Sequence, residues 1–226
     1  CFEQTVAGRR LFDVLPDMVN QALAGLPIPK RMRWGAHTAE FVRPAHWVVM
    51  LYGSEVIAGE VLGLKADRVT HGHRFMHGAP IALAHADDYV ASLATPGYVI
   101  APFAARRERV RALIEMTAQA EGGTAVIDEA LLDEVTALVE WPVPICGRFD
   151  AHFLELPGEV LIASMQGHQK YFPIRDAHGG LRNRFITLAN LESAAPEAIR
   201  SGNERVIRPR LSDADFSNTA FAFGDS

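Results

Sequence analysis

Two strand-like runs, residues 171–174 and 184–190, flank the cluster Asp176-Ala177-His178-Gly179-Gly180. The cluster is a hairpin turn, and a hairpin makes its strands antiparallel. This pairing constrains the fold most, because it breaks the strand–helix alternation that a parallel sheet requires. Pro173 has no amide hydrogen to donate, so its run is expected at a sheet edge. A second hairpin is predicted upstream: residues 47–52 read as a strand, Gly53-Ser54 as the turn and residues 55–62 as the partner. Residues 98–101 read as a short strand and residues 67–85 as irregular chain rich in His and Gly.

Helical spacing surrounds these hairpins. Residues 9–24 place Leu11, Val14, Leu15, Met18, Val19, Ala22 and Leu23 on one stripe, with Pro16 as a kink or restart. Gly25-Leu26-Pro27-Ile28-Pro29 breaks that helix. Residues 103–120 carry Val110, Leu113, Ile114 and Ala118 before Gly122-Gly123. Residues 128–140 carry Leu131, Leu132, Val135, Leu138 and Val139 before Pro142 and Pro144, which a short strand follows. A further helix starts at Pro157, a well-placed N-terminal proline. On it Leu161, Met165 and His168 share one face, and Gln166 and Lys170 share another. The predicted class is α+β, antiparallel sheets or hairpins with packed helices. It is read as one domain over 1–226, with a sub-boundary near 140–150 and an atypical tail at 217–226.

At 226 residues, 49% hydrophobic and 22% charged, the chain can bury a core. A net charge of -5 exerts no global pull on nucleic acid, so such binding requires local basic patches. Of two cysteines, Cys146 lies in an apolar stretch and reads as a buried thiol in a reducing compartment. No run approaches the roughly 20 apolar residues of a membrane span, and no secretory pattern opens the chain. The expected location is the cytoplasm, and the chain is expected to be a piece of a longer one.

Four clusters carry candidate chemistry. In "PKRMRWG", residues 29–35, Lys30, Arg31 and Arg33 alternate with Met32 and Trp34 in a proline-stiffened segment, with Arg43 close behind. They suit a phosphate backbone or a solvated loop with Trp34 in the core. "HGHRFMHG", residues 71–78, with His85 nearby, suggests zinc by its imidazoles, but no Cys or well-spaced acid completes a ligand set. Polar contact from His73 and Arg74 to a ligand and a plain loop are the other readings, and Asp87-Asp88 reads as a helix start. The run "RRERVR", residues 106–111, opposes its helix dipole, which suggests a phosphate, an acidic partner surface or a solvated face. In "GNERVIRPR", residues 202–210, Arg205 and Arg208 stand three apart; Pro209 is expected to end that helix before Arg210. Ser212 and Asp215 are spaced as a capping box for the next helix. This trio suits phosphates or structural salt bridges.

Nucleotide-binding, nucleophile-elbow and metal signatures are absent: the sequence contains no Walker loop, GxGxxG, GxSxG, HExxH or CxxC. The acids Asp150, Glu155, Glu159 and Asp176 form no defensible acid/base pair, so the chain reads as a binding or structural piece.

Several long segments, in unbroken order, resemble one family. "LPIPKRMRWG" (26–35), "FVRPAHWVVMLYG" (41–53), "GHRFMHG" (72–78), "SMQGHQKYFP" (164–173) and "GNERVIRPRLSDADF" (202–216) are similar to the beta subunit of the bacterial two-subunit glycyl-tRNA synthetase. The resemblance implies an alpha–beta heterotetramer whose alpha subunit activates glycine with ATP. It places ATP and Mg at that subunit and no cofactor in this chain. It also implies an N-terminal portion of a longer beta subunit, inactive alone, that contacts the alpha subunit and tRNA(Gly) but no membrane. After "RLSDADF" the chain departs into "SNTAFAFGDS", so residues 217–226 carry no family inference.

The expected tRNA contacts are Lys30, Arg31, Arg33, Arg74, Gln166, Gln169, Lys170, Arg205, Arg208 and Arg210. "HQKYFP" suits either polar recognition or a helix-to-hairpin corner, with His168 as a core or corner residue. Two rival readings are an editing hydrolase for misacylated tRNA, using His71, His73 and His77, and a module that only docks the alpha subunit.

Overall fold

The computed structural model describes residues 7–222 except His37, and only the backbone of His168 and of residues 217–222. Cys1 and residues 223–226 of the tail therefore lie outside the described residues. Internal contacts divide the chain between Gly97 and Tyr98 into two compact units. The sub-boundary expected near 140–150 instead falls within the second unit, where Val143–Arg148 is a sheet strand.

The first unit opens with α1 (Leu11–Gly25), the predicted helix, although Leu11, Met18 and Ala22 of the predicted stripe are exposed and Phe12, outside it, joins the packed face. Its Phe12, Leu15, Val19 and Leu23 pack on the buried Met50, Ile57 and Val61. Pro16 stays inside the helix and lies so close to Gly59 that a Cβ there would stand 2.6 Å from Pro16 Cβ. Short strands follow. β1 (Met32–Arg33) pairs with β2 (Glu40–Phe41). After β3 (Val48–Val49), β4 (Leu51–Tyr52) and β5 (Glu55–Val56) form the predicted hairpin, Leu51 opposite Val56, with Gly53 at φ 60° in its turn.

The predicted strand over 47–52 breaks at Met50, whose amide donates to Asp67 O at 3.3 Å. β6 (Glu60–Val61) pairs with β7 (Leu64–Asp67), which runs parallel to β3. Residues 67–85 are more ordered than expected: β8 (Val69–His71) and β9 (Pro80–Ala82) are an antiparallel hairpin. Strands of three residues, with His and Gly between them, are too short to display alternation in sequence. His85 then caps a 3₁₀ turn, Ala86–Asp88; its Nδ1 accepts from Asp87 N, and Asp88 accepts from His85 N. α2 (Tyr89–Ala94) follows that predicted start.

In the second unit residues 98–101 form no strand, although Ile100 N donates to Glu140 O at 3.0 Å. α3 (Phe103–Ala120) matches its predicted span. β10 (Thr124–Ala125) leads to α4 (Glu129–Leu138), whose cap Asp128 accepts from Leu131 N at 2.8 Å. β11 (Val143–Arg148) and a 3₁₀ turn (Ala151–Glu155) precede α5 (Gly158–Gln169). β12 (Phe172–Arg175), β13 (Leu181–Ala189) and α6 (Pro196–Ala222) complete the unit. The sheet is antiparallel, in the order β10-β12-β13-β11.

Alternation along these strands builds two cores. Phe172, Ile174 and Ile186 join Val110, Ile114, Leu132 and Val135 of α3 and α4. Tyr171 and Phe185 join Leu161 and Met165 of α5 and Ile207 and Leu211 of α6. The class is α+β, as predicted, but two proline expectations are corrected. Pro173 does not mark an edge, since β12 lies between β10 and β13. A strand residue's N–H and C=O face the same neighbour. Pro173 O accepts from Val126 N at 2.8 Å, so the missing N–H faces the side where β10 spans only two residues. Pro209 does not end α6, and Ser212 caps no new helix; its hydroxyl donates to Arg208 O at 3.1 Å inside the same helix.

Candidate nucleic-acid interface

Most of the ten candidate contacts are already engaged within their own unit. Arg31 Nη2 donates to Ala24 O (2.8 Å) and Leu26 O (3.3 Å), closing the end of α1. Arg33 pairs across the β1–β2 ladder with Glu40 at 3.2 Å. Arg74 is exposed and lies over the Phe75 ring, 5.7 Å from its centroid. Of the "PKRMRWG" cations, Lys30 alone has no side-chain partner among the described residues, and Trp34 is half-buried.

"MQGHQKYFPIRD" is a corner. Lys170 adopts φ 59°, and its amide and that of Tyr171 both converge on Met165 O. Lys170 Nζ stands 2.8 Å from Glu134, and Gln166 Nε2 donates to Val126 O at 3.2 Å. Tyr171 stacks on Phe185 at 4.4 Å and donates to Asn203 Oδ1 at 2.7 Å. Gln169 is half-buried with no side-chain partner among the described residues. The side chain of His168 lies outside the described residues.

The arginine run is turned mainly onto the chain itself. Arg106 donates to Thr136 O (2.9 Å) and Ile100 O (2.5 Å). Arg107 bonds Asp133 and Glu129, and Arg111 bonds Glu129, so α4 is the acidic surface these cations meet. The hydrogen bonds to Asp133 and Glu129 push the Arg107 guanidinium up; those from Arg111 and Arg107 hold Glu129 below its ordinary value. Arg109 alone of the run's arginines is exposed without a partner among the described residues. His73 is 2% exposed, and its Nδ1 accepts from Phe75 N at 3.3 Å. No three His, Cys, Asp or Glu side chains among the described residues gather as a metal site.

One grouping does bring cations together. Arg148, Arg205 and Arg208 line a groove of about 310 Å³ with Phe149, Asp150 and Glu204. Arg205 and Arg208 share a face of α6, being three apart, whereas Arg210, two positions beyond Arg208, faces elsewhere. Glu204 accepts from the Arg148 amide at 2.9 Å, and Asp150 stands 3.4 Å from Arg208 Nε. Three arginines against two carboxylates leave a positive excess. Arg205 is exposed without a partner among the described residues, as is Arg210. Arg148 was missed in sequence; its signal is an arginine closing a predicted strand two residues before Asp150. Paired guanidinium groups on rigid elements suit phosphate oxygens, which accept bidentate hydrogen bonds.

A family model described as "Glycyl-tRNA synthetase beta subunit" matches residues 1–219. The chain is 53% identical over 215 residues to a "Glycine--tRNA ligase beta subunit" of Hahella chejuensis, covering 95% of this chain and 31% of that one. A protein of the same description from Marinobacter nauticus is 55% identical over 210 residues, 92% of this chain and 30% of its own length. The chain spans about a third of the length of the curated relatives it matches.

Proposed function

Since this chain belongs to the glycyl-tRNA synthetase beta subunit family, we propose that it is a non-catalytic part of glycine–tRNA ligase that seats tRNA(Gly) along the Arg148–Arg205–Arg208 groove. The reading is carried by that groove, which is lined by three arginines of β11 and α6 in a chain whose net charge is -5. In such an acidic chain, a polyanion is held by a local positive surface and the counterions it releases. The relatives are named ligase beta subunits, which supports an alpha-subunit partner, a heterotetramer and a cytoplasmic setting. ATP and Mg belong in this reading to the alpha subunit, where glycine is activated; this chain positions the RNA.

A filter-binding titration of the assembled ligase with tRNA(Gly) tests the assignment. Arg148→Glu with Arg205→Glu should weaken binding about 10-fold or more at moderate salt, because each reversal removes a phosphate contact and adds repulsion. Unchanged affinity in the double variant would remove the groove from the interface.

A further inference from the structure

In the first unit, a hollow of about 380 Å³ is lined by Trp47, Val49, Leu51, Thr70, Leu83 and Tyr89. None of these side chains is charged at neutral pH. Trp47 is 45% exposed and Tyr89 39%, although rings of this size usually lie under cover. Trp47 leans against His71, the ring centroids 4.5 Å apart.

Three hydrogen-bonding groups in this lining have no side-chain partner among the described residues: the Trp47 indole N–H, the Tyr89 hydroxyl and the Thr70 hydroxyl. Thr70 is 2% exposed, and a buried hydroxyl without a partner is costly. Its oxygen is not sealed off, since the one sealed and unpartnered side-chain N or O among the described residues is Arg200 Nε. The lining therefore combines aromatic faces, aliphatic walls and a few unfilled polar groups, the composition of a small-ligand site.

An aliphatic anchor from a protein partner would cover the rings but leave those polar groups unpaired. A nucleobase has a flat face to stack and an edge that hydrogen-bonds, so it answers both. Arg43, exposed and without a partner among the described residues, precedes Trp47 by four positions, and exposed Arg74 follows His71 by three. From this we infer that the hollow takes an unpaired nucleobase of RNA, stacked on its aromatic walls and hydrogen-bonded at its edge by Thr70. The inference rests on the reading of this chain as an RNA-binding part of the ligase.

The test uses the assembled ligase and a short single-stranded oligoribonucleotide carrying one 2-aminopurine, against the same strand abasic at that position. Anisotropy titrations should show the base-bearing strand binding about 10-fold more tightly, the usual scale of one stacked base. Trp47→Ala should abolish that preference, and Thr70→Val, which keeps the side chain's shape, should reduce it about 5-fold. Several results would overturn the inference: equal binding of both strands, a preference untouched in both variants, or adenosine monophosphate binding as tightly as the strand. Loss of alpha-subunit capture in both variants, with the base preference intact, would also overturn it in favour of a protein contact. Equal but measurable binding sinks only the hollow, whereas no binding of either strand sinks the RNA reading with it.

Discussion

Lys170 shows how one residue settles a corner. It occupies the left-handed region at φ 59° without being glycine, which is unfavourable by roughly 1–2 kcal/mol for an L-residue. The convergence of two amides on Met165 O and the Tyr171 anchor hold it there. Tyr171→Phe removes the 2.7 Å bond to Asn203 and should cost about 1 kcal/mol in chemical denaturation. Burial pushes the Tyr171 hydroxyl from 10.0 up to about 12. The native state keeps a proton that the unfolded chain loses above 10.0, so this contribution is full below that pH and is lost as pH rises toward about 12. The Phe variant should lack that component of the alkaline loss. Asp176 behaves in the opposite sense: amides of His178 and Gly180 hold its carboxylate below 3.8, so its contribution is present above 3.8 and lost as pH falls through the native value. Asp176→Ala should flatten the acid limb of a pH–stability curve. Asp176 was legible as a turn residue because its side chain acts locally; Lys170 was not, because tertiary contacts impose its conformation.

At the scale of elements, helical periodicity was readable, and short pairing was readable only where turn residues mark it, as at Gly53-Ser54 between β4 and β5. α3 and α4 were visible because their apolar stripes repeat over several turns, and the 176–180 hairpin because its turn residues cluster. The β8–β9 hairpin escaped notice, since three-residue strands carry too little pattern. Both prolines were misplaced because the loss of one N–H did not decide the element around it. Pro173 has a two-residue neighbour on that side, and Pro209 sits in a helix that continues through. Packing between strands can be probed at Gly147, opposite Phe185 in the ladder. A Cβ there would fall 2.8 Å from Phe185 Cε1 and closer still to Cζ. Gly147→Ala should therefore destabilise the second unit by about 1–3 kcal/mol, read as a lower denaturation midpoint at unchanged slope.

Over the whole molecule, the family was legible from long ordered motifs, whereas the candidate interface was legible only in part. Sequence shows where cations are but not which ones already have carboxylates or carbonyls. Arg33 and Lys170 are salt-bridged, Arg31 and Gln166 hold backbone carbonyls, and Arg205 and Arg208 line a groove with Arg148. That distinction yields the most direct test, the salt dependence of tRNA(Gly) binding by the assembled ligase carrying Arg205→Ala or Arg33→Ala. The groove account predicts that the slope of log affinity against log salt falls by about one for the Arg205 variant and stays at the wild-type value for the Arg33 variant. A wild-type slope for Arg205→Ala, or an equal fall in both variants, would contradict it.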